Sequence, residues 1–168
     1  MGWFLKRGTI GAILLLLSGL GCVKYSFRGA LPSDIQTIAI PLFEDRSAWV
    51  GLQEQLTRDV IDAFIRDNTL QVIESEKDAD LLLKGTILSV QRRRTAITAQ
   101  EVVEEERLVV NVKVECINQH TGKPLWSGNV TEFGVLSGTG SVEENDLAIA
   151  EAVEKIVESI VNRTVAAW

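Results

Sequence analysis

The segment Leu108–Asn118 alternates between apolar and mostly polar side chains more regularly than any other part of the chain. Because successive side chains of a strand point to opposite faces, this pattern predicts a β-strand with one buried and one largely hydrated face. The turn Gln119–Lys123 contains Gly122, which supplies a positive φ, and predicts a hairpin with the return strand Leu125–Leu136. The chain must therefore build an antiparallel sheet and cover one side of it.

Two segments have the period of amphipathic helices and are suited to cover that sheet. The first is Gly51–Asn68, and the second is Asn145–Ala166, where Glu151 and Lys155 form a favourable i,i+4 pair on the hydrated side. Each segment has one apolar stripe, which consists of Leu52, Leu56, Val60, Ala63 and Phe64 in the first, and of Ile149, Val153, Ile156 and Ile160, with Ala150 and Val157 beside them, in the second.

Three further strands are predicted upstream of the hairpin, at Ile35–Phe43, Leu70–Glu74 and Leu81–Arg94. Pro41 suggests a strand end or an edge, Gly85 suggests a bulge, and Thr95–Glu106 reads as a polar loop. The order of elements predicts an α+β fold. We expect a two-layer sandwich in which a mixed sheet of four or five strands carries both helices on one face.

The N-terminal 21 residues have the organisation of a secretory signal peptide, with Lys6 and Arg7 before an apolar run and small residues after it. As a helix, Ile10–Leu20 would extend about 16 Å, which is too short for the hydrocarbon core of about 30 Å that a membrane-spanning helix must cross. The run ends at Gly21 and Cys22, which resembles a bacterial lipobox, although Gly19 and Leu20 depart from its usual pattern.

We predict that Cys22 is acylated and holds the chain on a membrane. The alternative is a free cysteine after ordinary cleavage. In lipoproteins of the Gram-negative kind, an aspartate directly after the acylated cysteine favours retention in the inner membrane. Val23 occupies this position here, so the resemblance implies delivery to the outer membrane. The predicted organisation is a lipoprotein signal peptide at 1–21, a lipidated tether at 22–34 and an α+β domain at 35–168.

Composition and missing motifs exclude several classes of function. The net charge of −6 argues against nucleic acid as a partner, because binding phosphates requires a basic surface. Two cysteines exclude a disulfide framework, and a single histidine, His120, excludes multi-histidine metal centres. His120 is expected to be a solvated turn residue, Cys116 a small buried hydrophobe, and Asp80, with Asp78, a cap at a strand start. We predict no enzyme, no metal and no cofactor.

The triplet Arg92-Arg93-Arg94 stands out in this acidic chain. One interpretation is a solvated strand end, in which the arginine stems cover apolar surface. The other is an anion site, because guanidinium groups bind phosphate in a bidentate manner. Alternation along a strand would place Arg92 and Arg94 on one face and Arg93 on the other. The hypothesis is therefore that Arg92 and Arg94 contact lipid phosphate.

Several segments in order resemble the LptE family of lipopolysaccharide (LPS)-assembly lipoproteins. They include Cys22 with Tyr25-Ser26-Phe27, the segments Thr37–Ser47 and Ala79–Ile87, Leu56-Thr57, the strand Leu108–Asn118, and Thr121–Trp126. Some of these motifs are also similar to penicillin-binding-protein activators and curli-secretion components. The rival interpretation is accordingly a periplasmic adaptor or activator of a cell-wall enzyme or secretion pore. The short tether Val23–Ser33 favours a partner close to the membrane instead.

The resemblance to LptE implies an outer-membrane location on the periplasmic side, and a partner. LptE-like proteins sit inside the LptD β-barrel as a plug that assists barrel assembly and the delivery of LPS to the outer leaflet. By this resemblance, the polar strand residues Asn111, Lys113 and Glu115 would meet the polar interior of such a barrel.

Overall fold

The computed structural model describes residues 34–97, 103–136, 138 and 141–167. The predicted signal peptide, Cys22 and nearly all of the predicted tether lie outside the described residues. Within them the chain forms six strands and two helices, in the order β1 (Thr37–Ala39), β2 (Glu44–Asp45), α1 (Leu52–Asp67), β3 (Gln71–Val72), β4 (Leu81–Ile97), β5 (Val103–Asn118), β6 (Lys123–Leu136) and α2 (Val142–Val165).

The strands form one mixed, open sheet in the order β3-β1-β4-β5-β6, with β2 paired to β4 beyond the end of β1. β1 is parallel to both β3 and β4, and β2 is parallel to β4. β4, β5 and β6 form an antiparallel meander of long strands. The predicted α+β class and mixed sheet are confirmed.

The predicted strand Ile35–Phe43 is shorter than expected, since β1 covers only Thr37–Ala39. A separate short strand, β2, follows at Glu44–Asp45 and raises the number of strands to six. Pro41 lies in the break and has no N–H to donate to a ladder. The backbone of Phe43, two positions later, bonds to α1 instead. Its N–H donates to Thr57 Oγ1 at 3.1 Å, and its carbonyl accepts from Gln53 Nε2 at 2.6 Å. Side chains of a helix therefore replace the sheet hydrogen bonds here.

The bulge predicted at Gly85 is wrong. Gly85 pairs regularly with Val114, and the register of β4 against β5 shifts between Ile87 and Ser89. Gly85 lacks a side chain for another reason, because a Cβ atom at this position would overlap the ring of the buried Phe43. The glycine therefore makes room for the aromatic ring that closes this part of the core.

The polar segment Thr95–Glu106, predicted as a loop, is largely strand. β4 continues to Ile97 and β5 begins at Val103, so the two strands extend together as a ladder that ends with the pair Ile97 and Val103. Residues 98–102 lie outside the described part of the chain. Backbone pairing with a neighbouring strand does not require apolar side chains, which explains why hydropathy alone misjudged this segment.

Both helices pack on one face of the sheet, as predicted, and the main core lies between the two layers. The helices contribute side chains that are at most 7% exposed, which include Leu56, Val60, Phe64, Val153, Ile156 and Ile160. Ala150, expected beside the stripe of α2, is exposed instead, and Ala148 and Ala152 are buried. No helix in the described ranges is long and apolar enough to cross a bilayer.

Local signals set the ends of the helices. Gly51 and Asn68 flank α1 in the left-handed conformation, with φ of 81° and 56°. α2 begins at Val142, three positions before the predicted start, because the Ser141 side chain accepts a hydrogen bond from the Glu144 N–H and caps the helix there.

α2 also follows the outer edge of β6, where its side chains bond to the backbone of the strand. Glu151 Oε2 accepts from the Val135 N–H at 3.0 Å, and Lys155 Nζ donates to the Phe133 carbonyl at 3.0 Å. The predicted Glu151–Lys155 pair is present at 2.7 Å. The hydrogen bond from Lys155, together with that from Val135, lowers the pKa of Glu151 although burial opposes the change.

Candidate functional site

The face of the sheet opposite the helices is open and largely polar. Its side chains come from alternate positions of the three long strands, and they include Lys84, Thr86, Asn111, Lys113, Glu115, Asn129 and Thr131. A small apolar cluster, formed by Ala39, Ala79 and Leu82, covers one end of this face. We call this surface the open face.

A groove of about 430 Å³ lies on the open face beside β2. Lys84 and Lys113 contribute ammonium groups, and Glu44, Glu76 and Glu115 contribute carboxylates. Neither lysine forms an ion pair with another of the described residues. Nearby, the buried Oδ1 atom of Asn111 has no hydrogen-bond partner in the structure. The polar residues Asn111, Lys113 and Glu115, singled out by sequence, therefore do share one surface.

Arg92 and Arg94 share the other face, as the alternation predicts, because Arg92 lies opposite the core residue Leu108 and Arg94 lies opposite Glu106. Both guanidinium groups contact the same carboxylate, with Glu106 at 3.4 Å from Arg92 and 3.1 Å from Arg94. Arg92 also donates to Asn145 Oδ1 at 2.8 Å. Two guanidinium groups therefore share one carboxylate.

Arg93 points to the open face, where it lies opposite Arg107. Arg107 pairs with Glu105 at 2.5 Å, and its guanidinium group lies 4.0 Å from the centre of the Phe133 ring. Lys155 approaches the same ring at 4.7 Å. Phe133 therefore makes cation–π contacts with two cations, an arrangement that the sequence does not indicate because the residues come from three different elements.

Asp80 is the centre of a hydrogen-bonded cluster at the opposite end of β4. Its Oδ2 atom accepts from the Gln36 and Thr37 N–H groups and from Thr37 Oγ1, at 2.8 to 2.9 Å. Its Oδ1 atom lies 2.8 Å from His120 Nε2. Asp80 therefore connects the start of β1, the start of β4 and the β5–β6 turn.

The electrostatics of this cluster favour a structural role. Burial raises the pKa of Asp80, but the hydrogen bonds from Gln36, Thr37 and His120 outweigh it and lower that pKa to about 2. His120 is an exposed turn residue, as predicted, with a side chain that is 52% exposed, and it also pairs with Asp80. Sequence reasoning missed this pair because 40 positions separate its members.

Two other features, a buried cysteine and a second groove, do not form a reactive or metal-binding site among the described residues. Cys116 is fully buried, and burial raises the pKa of its thiol to about 12, so it behaves as the small hydrophobe that the sequence predicts. A second groove, of about 600 Å³, lies between α1 and α2, and its charged residues are mostly acidic, with Asp59, Asp62, Glu154 and Glu158 among them. Within the described ranges, no three histidine, cysteine or acidic residues are placed to hold a metal ion.

Solved structures share this fold at low sequence identity. A hypothetical protein from Chlamydia trachomatis is similar with a TM-score of 0.60 and 13% identity, over 79% of this chain and 97% of that one. A Xanthomonas campestris protein gives 0.59 and 12%, over 83% and 89%. A minor lipoprotein from Acinetobacter baumannii gives 0.54 and 12%, over 78% and 93%.

No curated protein matches the sequence significantly. A family model does match, and it covers most of the described fold. It is the model of the lipopolysaccharide-assembly family LptE, and it matches residues 35–164, from the residues before β1 to the last turn of α2. LptE is not an enzyme family, in agreement with the prediction from the sequence. The chain therefore belongs to the LptE family of lipopolysaccharide-assembly proteins.

Proposed function

We propose that this protein is an outer-membrane lipoprotein that plugs an LptD-like β-barrel, assists its assembly and delivers LPS to the outer leaflet. The observation that carries the proposal is the LptE family match over residues 35–164. The proposed organisation is a signal peptide at 1–21, acylated Cys22 within a tether at 22–34, and an LptE-like domain at 35–168. In this arrangement the lipid holds the domain at the periplasmic side of the outer membrane.

The open face supports the plug role by its chemistry. A barrel that admits a soluble domain has a polar interior, and the open face offers lysines, carboxylates and amides to such a wall. The buried Asn111 Oδ1 atom, which has no hydrogen-bond partner among the described residues, would gain one from a donor in the barrel. The fold is also covered on its other face by both helices, so the open face is the broad sheet surface left for a partner.

The anchor and the partner are tested together in membranes of the native host. We expect the protein to co-purify in detergent with one large β-barrel protein, and mass spectrometry of the mature N-terminus to find acyl chains on Cys22. A Cys22→Ser variant should lose both the acyl mass and the membrane fraction. Recovery of an unmodified, partnerless protein from the soluble fraction would contradict the proposal.

We further propose that Arg92 and Arg94 contact phosphate groups of LPS. Their support is geometric, since both guanidinium groups lie on one face, share Glu106 as their carboxylate partner among the described residues, and are 41% and 78% exposed. A phosphate that approaches them could accept hydrogen bonds from both guanidinium groups. The proposal assigns the contact to the end of the sheet where α2 begins.

Replacement of both arginines by alanine should weaken LPS binding at least tenfold, and the binding of the unmodified protein should weaken with added salt because exposed charges are screened. The matched control is Arg58→Ala with Arg66→Ala, which removes the same charge from exposed positions of α1. LPS affinity is measured by surface plasmon resonance. Equal affinities of the two double variants would refute the proposed contact of Arg92 and Arg94 with LPS.

A further inference from the structure

The outer edges of the long strands β6 and β4 differ in how far other elements cover them. On the outer edge of β6, side chains of α2 bond to three backbone groups: Glu151 to the Val135 N–H, Lys155 to the Phe133 carbonyl, and Arg163 to the Asn129 carbonyl at 3.4 Å. Unpaired backbone groups of an edge strand are a template for another strand, and covering them with a helix prevents such pairing. The β6 edge is therefore covered by α2 from Asn129 to Val135.

The edge of β4 that faces away from β5 is covered only along its first part. β1 pairs with Leu81 and Leu82, β2 pairs with Thr86 and Ile87, and the N–H of Arg46 donates to the Ile87 carbonyl at 2.9 Å. The bulge follows at once, between Ile87 and Ser89. From Ser89 to Ile97, β4 pairs only with β5 in the part of the chain that the structure describes.

This uncovered stretch is long and accessible. It extends over the residues 89–97, about 30 Å at the usual rise of a strand, and Gln91, Arg92, Arg93 and Arg94 are all exposed. Its backbone N–H and C=O groups on the outer side have no backbone partner among the described residues. We call this stretch the β4 edge. It has the geometry that β-augmentation needs, in which an extended segment adds one strand to a sheet.

The charge of the β4 edge determines which kind of strand can bind there. Glu106 is shared by Arg92 and Arg94, and the hydrogen bond from Arg93 goes to the neutral Gln91 side chain at 3.2 Å. A second copy that paired β4 with β4 around Arg93 would place like charges opposite one another, which is destabilising. An acidic strand would place carboxylates beside Arg92 and Arg94 on one face and beside Arg93 on the other.

We propose that the β4 edge, Ser89–Ile97, is a β-augmentation site for an extended acidic segment of a partner polypeptide. Backbone hydrogen bonds to β4 supply affinity, and the arginine triplet supplies specificity and suppresses pairing between copies of the chain. The site is distinct from the open face, but it shares Arg92 and Arg94 with the proposed LPS contact. The binding test below contains neither LPS nor a barrel, so its failure is distinguishable from failure of the proposed function.

The probe is a synthetic eight-residue peptide in which pairs of glutamates alternate with pairs of threonines, so that both faces of the added strand carry carboxylates. It is blocked at both ends and added to the full-length chain in detergent micelles. We expect it to bind, and to slow amide hydrogen exchange in the β4 segment 89–97 at least tenfold. A fully N-methylated peptide keeps the same carboxylates but has no backbone donor, and it should not bind. Arg93→Glu should weaken binding of the first peptide at least tenfold, whereas Arg58→Glu on α1 should not.

Several results would overturn the proposal. Equal binding of the N-methylated peptide would mean that charge alone attracts the probe. Protection at β6 or elsewhere, or no binding at millimolar peptide, would exclude the β4 edge. Slow exchange of 89–97 before any peptide is added would mean that this chain covers its own edge, and sedimentation would then show whether a second copy or the chain's own N-terminal segment is the cover.

Discussion

Replacing Gly134 with alanine should destabilise this protein by about 3 kcal/mol or more, at the upper end of what overpacking costs. Gly134 is a buried position of β6, and a Cβ atom there would overlap the backbone carbonyl of Ala148 in α2. A backbone atom has no rotamer with which to move aside, so the helix itself must shift. That shift would also strain the hydrogen bonds from Glu151 and Lys155 to the β6 backbone.

Gly128→Ala is the matched control, since it makes the same change on the same strand. The nearest atom to its added Cβ is Arg163 Nη1 at 3.7 Å, an ordinary contact. Because glycine weakens a strand relative to alanine, the control should be neutral or more stable by about 0.5 kcal/mol. Urea unfolding followed by circular dichroism measures both variants, and equal midpoints for them would show that α2 does not pack on Gly134 in this way.

Replacing Asp80 with asparagine should remove about 2 kcal/mol of stability at pH 7. The folded-state pKa of Asp80 is about 2 against an ordinary value of 3.8. A carboxyl group whose pKa is lower in the folded state stabilises that state above the unfolded pKa, and this stabilisation disappears as the pH falls through the folded pKa. The stability difference between the parent protein and the variant should therefore be constant above about pH 5 and shrink toward zero near pH 2.

The comparison of parent and variant isolates this one carboxyl group from the many others that titrate in the same range. Asp78→Asn is the control, because it makes the same change two positions away, where the carboxylate accepts from Ser75 at an exposed site. It should change the free energy of unfolding by less than about 0.5 kcal/mol at pH 7. A difference for Asp80→Asn that stays constant down to pH 2 would refute the assigned cause.

The arginine triplet Arg92-Arg93-Arg94 is only partly predictable from local pattern. Alternation alone indicates that Arg92 and Arg94 share a face, and they do, because a strand has a strict period of two. It does not indicate that both contact Glu106, since that contact depends on the register between β4 and β5. The extent of the β4 edge is equally hidden from the sequence, because it depends on where β2 stops.

The sequence by itself determined the elements whose signal is local and periodic. The alternation of Leu108–Asn118, the turn at Gly122 and the apolar stripes of the two helices each specify a buried face, and together they require an α+β sandwich with one covered side. The matching segments also identified the LptE family, which the family model shows independently.

Only the tertiary structure decided the features that join distant residues. The early end of the first strand before Pro41, the bulge after Ile87, the Asp80–His120 pair and the approach of α2 to Gly134 follow from contacts between elements. The physical reason is that period and propensity act over a few neighbouring residues, whereas register, edge protection and the surroundings of a charge are set by which elements meet in space.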